Sequence, residues 1–201
     1  NFGRLGDGTT TRSLIPIKIM DNVKSVSLGA TCSAAITKDG SLYTWGNNEY
    51  GGLGNGTRTD SLTPIKIMDN VQSVSLNCYH SAAITKDGSL YTWGDNLEGQ
   101  LGNGTTTDSL TPKKIMDNVK SVSLGIDHSA AITEDGSLYM WGQNSFGQLG
   151  DGTTTFRNPT PKKIMDNVKS VSLGDYHSAA ITKDGSLYTW GNNEYGELGD
   201  G

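Results

Sequence analysis

Short runs of alternating apolar and polar residues recur along this chain at a fixed interval. In the first complete period, Ser25–Leu28 alternates valine and leucine with serine, and Leu42–Trp45 alternates around two aromatic residues. Alternation with a period of two predicts half-buried β-strands. Ser33–Thr37 carries small side chains that suit a strand in crowded surroundings, and Pro64–Ile67 opens with a proline, which we place at a strand start or a sheet edge. The pattern therefore predicts four short strands in each period.

The connections between these strands differ in kind. The second and third strands are separated by Lys38-Asp39-Gly40-Ser41, and Asp-Gly readily supplies the positive φ angles of a tight hairpin. The third and fourth strands are separated by a long, glycine-rich loop, residues 46–63. We expect four antiparallel strands joined in sequence order, which make one small sheet per period.

The period is about 48 residues. Tryptophan recurs with spacings of 48, 48 and 49 at Trp45, Trp93, Trp141 and Trp190. The one extra residue lies in the stretch 156–159. One such sheet cannot bury both of its faces alone, whereas radial stacking of several sheets buries them, and this period lies in the range of propeller repeats. We therefore predict an all-β fold, a β-propeller of four-stranded antiparallel blades with four repeats per chain. The chain reads as a single repeat domain, 1–201, with a partial repeat 1–23, repeats 24–71, 72–119 and 120–168, and a partial repeat 169–201.

Three motifs resemble one known family. They are Gly-x-x-His-Ser-x-Ala at 125–131 and 174–180, Asp-Gly-Ser-Leu-Tyr-x-Trp-Gly after it, and Asn-x-x-Gly-x-Leu-Gly. Together they resemble the regulator of chromosome condensation repeat family, in a bacterial-type array, along the whole chain. The resemblance implies a β-propeller, usually of seven blades, whereas this chain carries about four repeats. It also implies action by protein contact, because the family includes an exchange factor for a small nuclear GTPase and a secreted bacterial inhibitor of β-lactamases.

The two ends of the chain are out of phase with a complete blade. The chain opens with a loop and a fourth-strand segment, Pro16–Met20, and ends after the first three strands of its last period. The N-terminal strand could complete the last blade and close a ring of four, or two chains could exchange these strands in a homodimer that forms a larger ring. A third possibility is that this chain is a piece of a longer repeat array. We favour the exchanged dimer, because four blades would strain sheets shaped for a larger ring.

Composition and charge narrow the range of functions. A net charge of −5 argues against a nucleic-acid partner, which requires a clustered positive surface. No apolar run is long enough to span a membrane, and the chain carries no visible signal peptide. The sequence starts at Asn1 rather than methionine, so we expect that a leader or other upstream sequence has been removed. The compartment stays open, with a secreted or cell-surface bacterial protein favoured over a cytoplasmic one. The two cysteines, Cys32 and Cys78, leave the compartment and their own pairing open.

Three histidines suggest a metal site at first sight. His80, His128 and His177 occupy one phase of the repeat, and Cys32 stands at that phase in the first repeat. This regularity places one such residue in every blade, so we interpret the histidines as structural, together with the four tryptophans, and predict no metal and no cofactor. The glycine-rich loops lack the lysine and helix of a phosphate cradle. No catalytic constellation stands apart from the repeat, and we predict that the chain is not an enzyme.

The repeats differ mainly in two loops, the link between the first two strands and the loop after tryptophan. Random sequence drift at solvent-exposed loops explains such differences as readily as selection for binding a partner does. We propose that these tips form one face that binds another protein, where aromatic and acidic residues are typical of interfaces. The candidate partner-binding residues are Thr31, Tyr79, Asp127, Asp175, Tyr176, Tyr50, Phe146 and Tyr195.

Overall fold

The computed structural model describes residues 2–77 and 79–201. Within these residues the chain forms fifteen β-strands and no helix, and the strands make four antiparallel sheets. The first sheet consists of β1 (Val23–Leu28), β2 (Cys32–Thr37), β3 (Leu42–Gly46) and β4 (Ser61–Met68). The second consists of β5 (Val71–Leu76), β6 (His80–Thr85), β7 (Leu90–Gly94) and β8 (Ser109–Met116). The third consists of β9 (Val119–Leu124), β10 (His128–Thr133), β11 (Leu138–Gln143) and β12 (Arg157–Met165), and the fourth of β13 (Val168–Leu173), β14 (His177–Thr182) and β15 (Leu187–Gly191). Small sheets whose strands pair in sequence order confirm the predicted β-propeller class.

The predicted hairpin forms at the Asp-Gly pair. Gly40 adopts a φ of 97°, and its amide donates to the carbonyl of Thr37 over 2.9 Å. The Asp39 carboxylate accepts hydrogen bonds from the Thr37 hydroxyl and the Ser41 amide, so the side chain closes the turn that the backbone opens. This local chemistry is why the register of β2 against β3 repeats from sheet to sheet.

The proline was predicted at a strand start or a sheet edge; β4 lies at the edge of its sheet, but it does not start at the proline. Strand β4 begins three residues earlier, at Ser61, which pairs with Gly46 of β3. Pro64 lies inside the strand, and the register between β3 and β4 shifts between Thr44 and Gly46. A proline removes one ladder hydrogen bond, and an outer strand with an irregular register tolerates that loss.

The prediction that residues 16–20 form a strand is wrong. Residues 10–20 carry no strand, and the fourth sheet contains three strands in the part of the chain that the structure describes. Residues Pro16–Met20 have the same sequence as Pro64–Met68 of β4. However, β4 forms a strand because β3 pairs with it. Without a paired neighbour, an isolated strand of this length has no ladder to stabilise it.

The chain divides into two compact units. The first comprises residues 1–87, 91–95 and 108–114, and the second comprises 88–90, 96–107 and 115–201. The core of the first unit contains side chains of both the first and second sheets together with Leu53 from a loop, and it includes Ile36, Leu42, Val71 and Trp93. The prediction of one repeat domain over 1–201 stays a prediction.

The second unit has a core that is built in the same way. Side chains of the third and fourth sheets enclose Leu149, which lies at the repeat position of Leu53. Ala130 and Ala180 belong to this core, and both are buried. Small residues in the second strand of each sheet thus occupy the crowded positions that the sequence predicts for them.

One carbonyl links each tryptophan to the preceding repeat. In the second unit, the indole Nε1 of Trp141 donates to the carbonyl of Gln100 over 2.8 Å, and the Ser129 hydroxyl donates to the same oxygen over 2.9 Å. The loop turns tightly against the ring, because Gly102 has a φ of 74° and a Cβ there would lie 2.7 Å from Nε1. The same pair of bonds joins Trp93 and Ser81 to Gly52 in the first unit. Tryptophan and serine therefore tie successive repeats together.

A buried asparagine organises the long loop after each tryptophan. The side-chain Nδ2 of Asn48 donates to the carbonyls of Thr57 and Thr59 over 2.9 and 3.0 Å, and its Oδ1 accepts the amide of Leu53 over 3.0 Å. Asn96 and Asn144 make the corresponding contacts in their own loops. A fully hydrogen-bonded buried amide holds an otherwise irregular loop in one conformation. This loop presents the variable tip.

Candidate functional site

Two variable loops lie at the same end of each sheet. In an antiparallel sheet joined in sequence order, the link between the first and second strands and the loop after the third strand emerge at one end, and the Asp-Gly hairpin emerges at the other. The structure also shows that the loop of one repeat meets the link of the next repeat. We call the tips brought together in this way the loop-tip face of each unit.

In the first unit, this arrangement joins two predicted residues. The rings of Tyr50 and Tyr79 meet edge to face with their centroids 5.1 Å apart, a favourable geometry for aromatic pairs. They line a cavity of about 230 Å³, which Phe2, Thr31 and Glu49 also line. Three of the eight candidate residues therefore share one depression.

The second unit repeats the aromatic contact. The rings of Phe146 and Tyr176 lie 5.2 Å apart, and both side chains are exposed. Asp175 is exposed beside Tyr176, and Tyr195 is 85% exposed and belongs to neither ring pair. The same two repeat positions thus carry an aromatic pair in each unit.

The loop of the second complete repeat and the link of the third carry acids at the positions where the two pairs carry aromatic residues. Glu98 and Asp127 occupy the positions of Tyr50 and Tyr79, and both are partly buried. The Arg157 guanidinium donates to the carbonyl of Leu97 over 2.6 Å and lies 3.8 Å from the Glu98 carboxylate. This surface of the second unit is therefore charged rather than aromatic.

The histidines are placed differently from one another. The ring of His80 lies 3.0 Å from the Asn77 amide within its own link, whereas Nε2 of His128 lies 3.2 Å from the Ser178 hydroxyl of the next repeat. His177 is partly exposed. Among the described residues, no group of three or more histidine, cysteine, aspartate or glutamate side chains is placed to hold a metal ion.

Burial, together with a smaller effect of the nearby His177, lowers the pKa of His128 from 6.5 to about 4. The ring is fully buried, Ser178 is its recorded hydrogen-bond partner, and Nδ1 has no partner among the described residues. A charged imidazole would therefore lose its hydration without compensation.

This depressed pKa predicts that stability falls on acidification. The unfolded chain binds a proton at His128 near pH 6.5, and the folded chain does so only near pH 4, so the loss accumulates as pH falls through that window. We expect a contribution of about 3 kcal/mol, measured by urea unfolding at pH 7.5 and at pH 4. His128→Gln has no proton to take up, so it should lack this part of the pH dependence. An unchanged dependence in the variant would show that other groups cause it.

Two further features bear on the earlier predictions. No helix among the described residues is long and apolar enough to cross a membrane. Cys32 is buried, and the open question of its pairing with Cys78 concerns a residue outside the described part of the chain.

Several residues that organise the face were missed from sequence. The serine that follows each histidine and the asparagine three positions after each tryptophan are identical in all copies of the repeat. This identity is the sequence signal that could have indicated their structural role. Arg157 was recognised only as part of an insertion, because nothing in the order of residues indicates that it reaches Leu97, 60 positions earlier. The Phe156 ring lies 5.3 Å from its guanidinium carbon.

Repeated four-stranded sheets, a tryptophan–carbonyl link between repeats and variable tips at one end define the class, a β-propeller repeat protein. The chain belongs to the RCC1-like domain family, whose profile matches residues 1–201. This membership confirms the resemblance seen in the motifs.

Comparison with known proteins agrees with this family membership. The chain has a TM-score of 0.84 and 24% identity with human WBSCR16, covering 98% of this chain and 56% of that one. With yeast RCC1 (Prp20), solved with Kap60, the TM-score is 0.81 at 27% identity, covering 93% of this chain and 47% of the other. The ultraviolet-B receptor UVR8 of Arabidopsis thaliana is 46% identical over 52 residues, which is 24% of this chain and 12% of the receptor. The chain thus spans about half the length of these solved relatives.

Proposed function

We propose that the chain is a non-enzymatic scaffold that binds another protein through its loop-tip face. The observation that carries this proposal is the pairing of aromatic residues at the loop tips of each unit, half-buried Tyr50 with exposed Tyr79 and exposed Phe146 with exposed Tyr176. Aromatic residues such as tyrosine and tryptophan are enriched among the residues that dominate protein–protein binding. The invariant sheets hold these tips in place, and the tips carry the differences between repeats.

The family relationship supports a protein partner. A second structure of yeast Prp20p, described with its binding to Gsp1p and histones, has a TM-score of 0.80 and 27% identity over 92% of this chain. The alternative that this likeness favours is a regulator of a small GTPase that acts as an exchange factor. The chain covers 49% of Prp20p, so this activity is the less supported of the two candidates.

Grafting between repeats tests the scaffold proposal. Tyr79→Thr, Asp127→Thr and Tyr176→Thr together place the residue of the first repeat, Thr31, at three positions of the face. We expect the amount of partner protein captured by the immobilised chain, at matched bait concentration, to fall about tenfold or more. Capture from a lysate of the organism that encodes the chain, quantified by mass spectrometry, measures this change.

The matched control lies at the other end of the sheets. Glu134→Lys places there the residue that three other repeats carry in their Asp-Gly hairpins, and the side chain is exposed. This variant should capture the same proteins as the unchanged chain, and circular dichroism should show that all variants are folded. If the triple graft captures every protein as well as the unchanged chain does, the proposed face is wrong.

We also propose that two copies associate by exchanging strands. The segment Ser13–Met20 matches β4 at seven of eight positions, and β15 has the same sequence as β3. In the fourth sheet Leu187 is 66% exposed, whereas its counterpart Leu42 is fully buried. An open edge with exposed apolar side chains favours the addition of a strand. The register of β3 with β4, transferred to these positions, would pair Leu187 with Met20.

A further inference from the structure

The cavity beside Tyr50 and Tyr79 combines aromatic surface with one acid. Phe2, Tyr50 and Tyr79 contribute rings, and Glu49 is the one carboxylate among the described residues that line it. We call this cavity the aromatic–acid pocket. Phe2 and Tyr79 are each more than 40% exposed, so partner atoms can reach these rings.

Within residues 2–77 and 79–201, the Glu49 carboxylate has no cationic partner. The neighbouring Arg58 donates to the backbone carbonyl of Glu49 over 2.8 Å, but its charge is paired with Asp108. Arg4 donates to the carbonyl of Ala30 over 3.2 Å and is not among the residues that line the pocket. No ion pair or hydrogen bond between described residues involves the Glu49 carboxylate. This acid therefore remains available to a cation from outside.

The size of the pocket limits what can enter it. Its volume of about 230 Å³ is below the roughly 300–1,000 Å³ typical of sites for small-molecule ligands. A single inserted side chain is the occupant that such a volume suits, as at the centre of many protein–protein interfaces.

We propose that the aromatic–acid pocket binds an arginine side chain on an exposed segment of the partner protein. A guanidinium stacks on aromatic rings and donates several hydrogen bonds to a carboxylate, which matches both components of the lining. Asn47 and Asn77 are polar residues in the same lining. The net charge of −5 adds a long-range attraction for a basic segment. This inference rests on the proposed scaffold function and specifies the chemistry of its partner.

The chain contains its own comparison site. In the second unit, Phe146 and Tyr176 repeat the ring pair, but Ser145 stands where the first unit has Glu49. The two sites share their repeat position and aromatic character and differ in the acid. Binding of a cation should therefore distinguish them.

Titration with defined peptides tests the proposal. The probe is the acetylated pentapeptide amide Gly-Gly-Arg-Gly-Gly, followed by amide chemical shifts of the full chain, with peptides carrying glutamine or phenylalanine instead of arginine as controls. We expect shifts confined to the neighbourhood of Thr31, Glu49 and Tyr79, and weaker binding at 0.5 M salt. Equal binding of the glutamine or phenylalanine peptide would overturn the proposal, as would no shift at millimolar arginine peptide.

Two reciprocal variants sharpen the test. Glu49→Ser converts the pocket to the composition of the second unit and should weaken arginine-peptide binding about three- to fivefold. Ser145→Glu should create arginine-dependent shifts around Phe146 and Tyr176. Binding unaffected by Glu49→Ser would show that the acid plays no part and contradict the proposal. If the triple graft abolishes partner capture while the arginine peptide does not bind, the scaffold function stands and the arginine pocket is rejected.

Discussion

Replacing Trp141 with alanine is expected to lower the free energy of unfolding by about 3–5 kcal/mol. The side chain is fully buried, and its Nε1 donates to the carbonyl of Gln100, so the substitution leaves a cavity and removes one of the two recorded side-chain donors to that oxygen. Urea unfolding followed by tryptophan fluorescence and by circular dichroism measures the loss. A change below about 1 kcal/mol would show that the link between repeats contributes little.

Trp190 is the matched control for this substitution. It makes the same bond to the preceding repeat, from Nε1 to the carbonyl of Gln148 over 2.8 Å, but its side chain is only partly buried. Trp190→Ala should therefore cost clearly less than Trp141→Ala, because less apolar surface is returned to water. Equal losses would indicate that the hydrogen bond, rather than packing, dominates the energetics of this link.

The 201-residue polypeptide is expected to associate through its open sheet edge into particles of at least twice its mass of 21.4 kDa. The segment Ser13–Met20 of one copy would add to β15 of another, where Ile19 and Met20 would occupy the positions at which Ile67 and Met68 pack on the core of the first unit. Light scattering coupled to size exclusion, over a range of concentrations, measures the mass.

A double variant distinguishes strand exchange from nonspecific association. Ile19→Lys with Met20→Lys should return the particles to 21.4 kDa, because the charged side chains would have to enter a core. Lys18→Ala in the same segment should leave the mass unchanged, since its counterpart Lys66 stays about half exposed in the paired strand. A monomer at every concentration, or particles that survive the double variant, would refute exchange between copies.

Much of the fold followed from local chemistry. The Asp39-Gly40 pair predicts a hairpin because its turn requires a positive φ that glycine supplies, and the structure has that turn. The alternating strands were located to within a few residues. Pro64 was misplaced at a strand start, because a proline inside a strand is tolerated only where the ladder is already irregular, and the ladder depends on the partner strand.

The candidate site was only partly predictable. Internal comparison singled out Tyr50 and Tyr79 as variable tips, yet they lie 29 positions apart, and nothing local indicates that their rings touch. The segment Pro16–Met20 shows the same limitation, because a sequence that forms a strand in one context has no strand in another. Whether a segment pairs depends on the neighbour available to it.

The sequence alone determined the repeat, the class of sheet, the hairpins and the positions that vary between copies. These properties depend on residues close together in the chain, where side-chain alternation and turn chemistry decide the outcome. Only the tertiary structure decided that Trp141 and Ser129 share one carbonyl, that no described residue pairs its positive charge with the Glu49 carboxylate, and that two loops form one pocket. Those contacts join residues from different repeats, so they exist only once the sheets have packed.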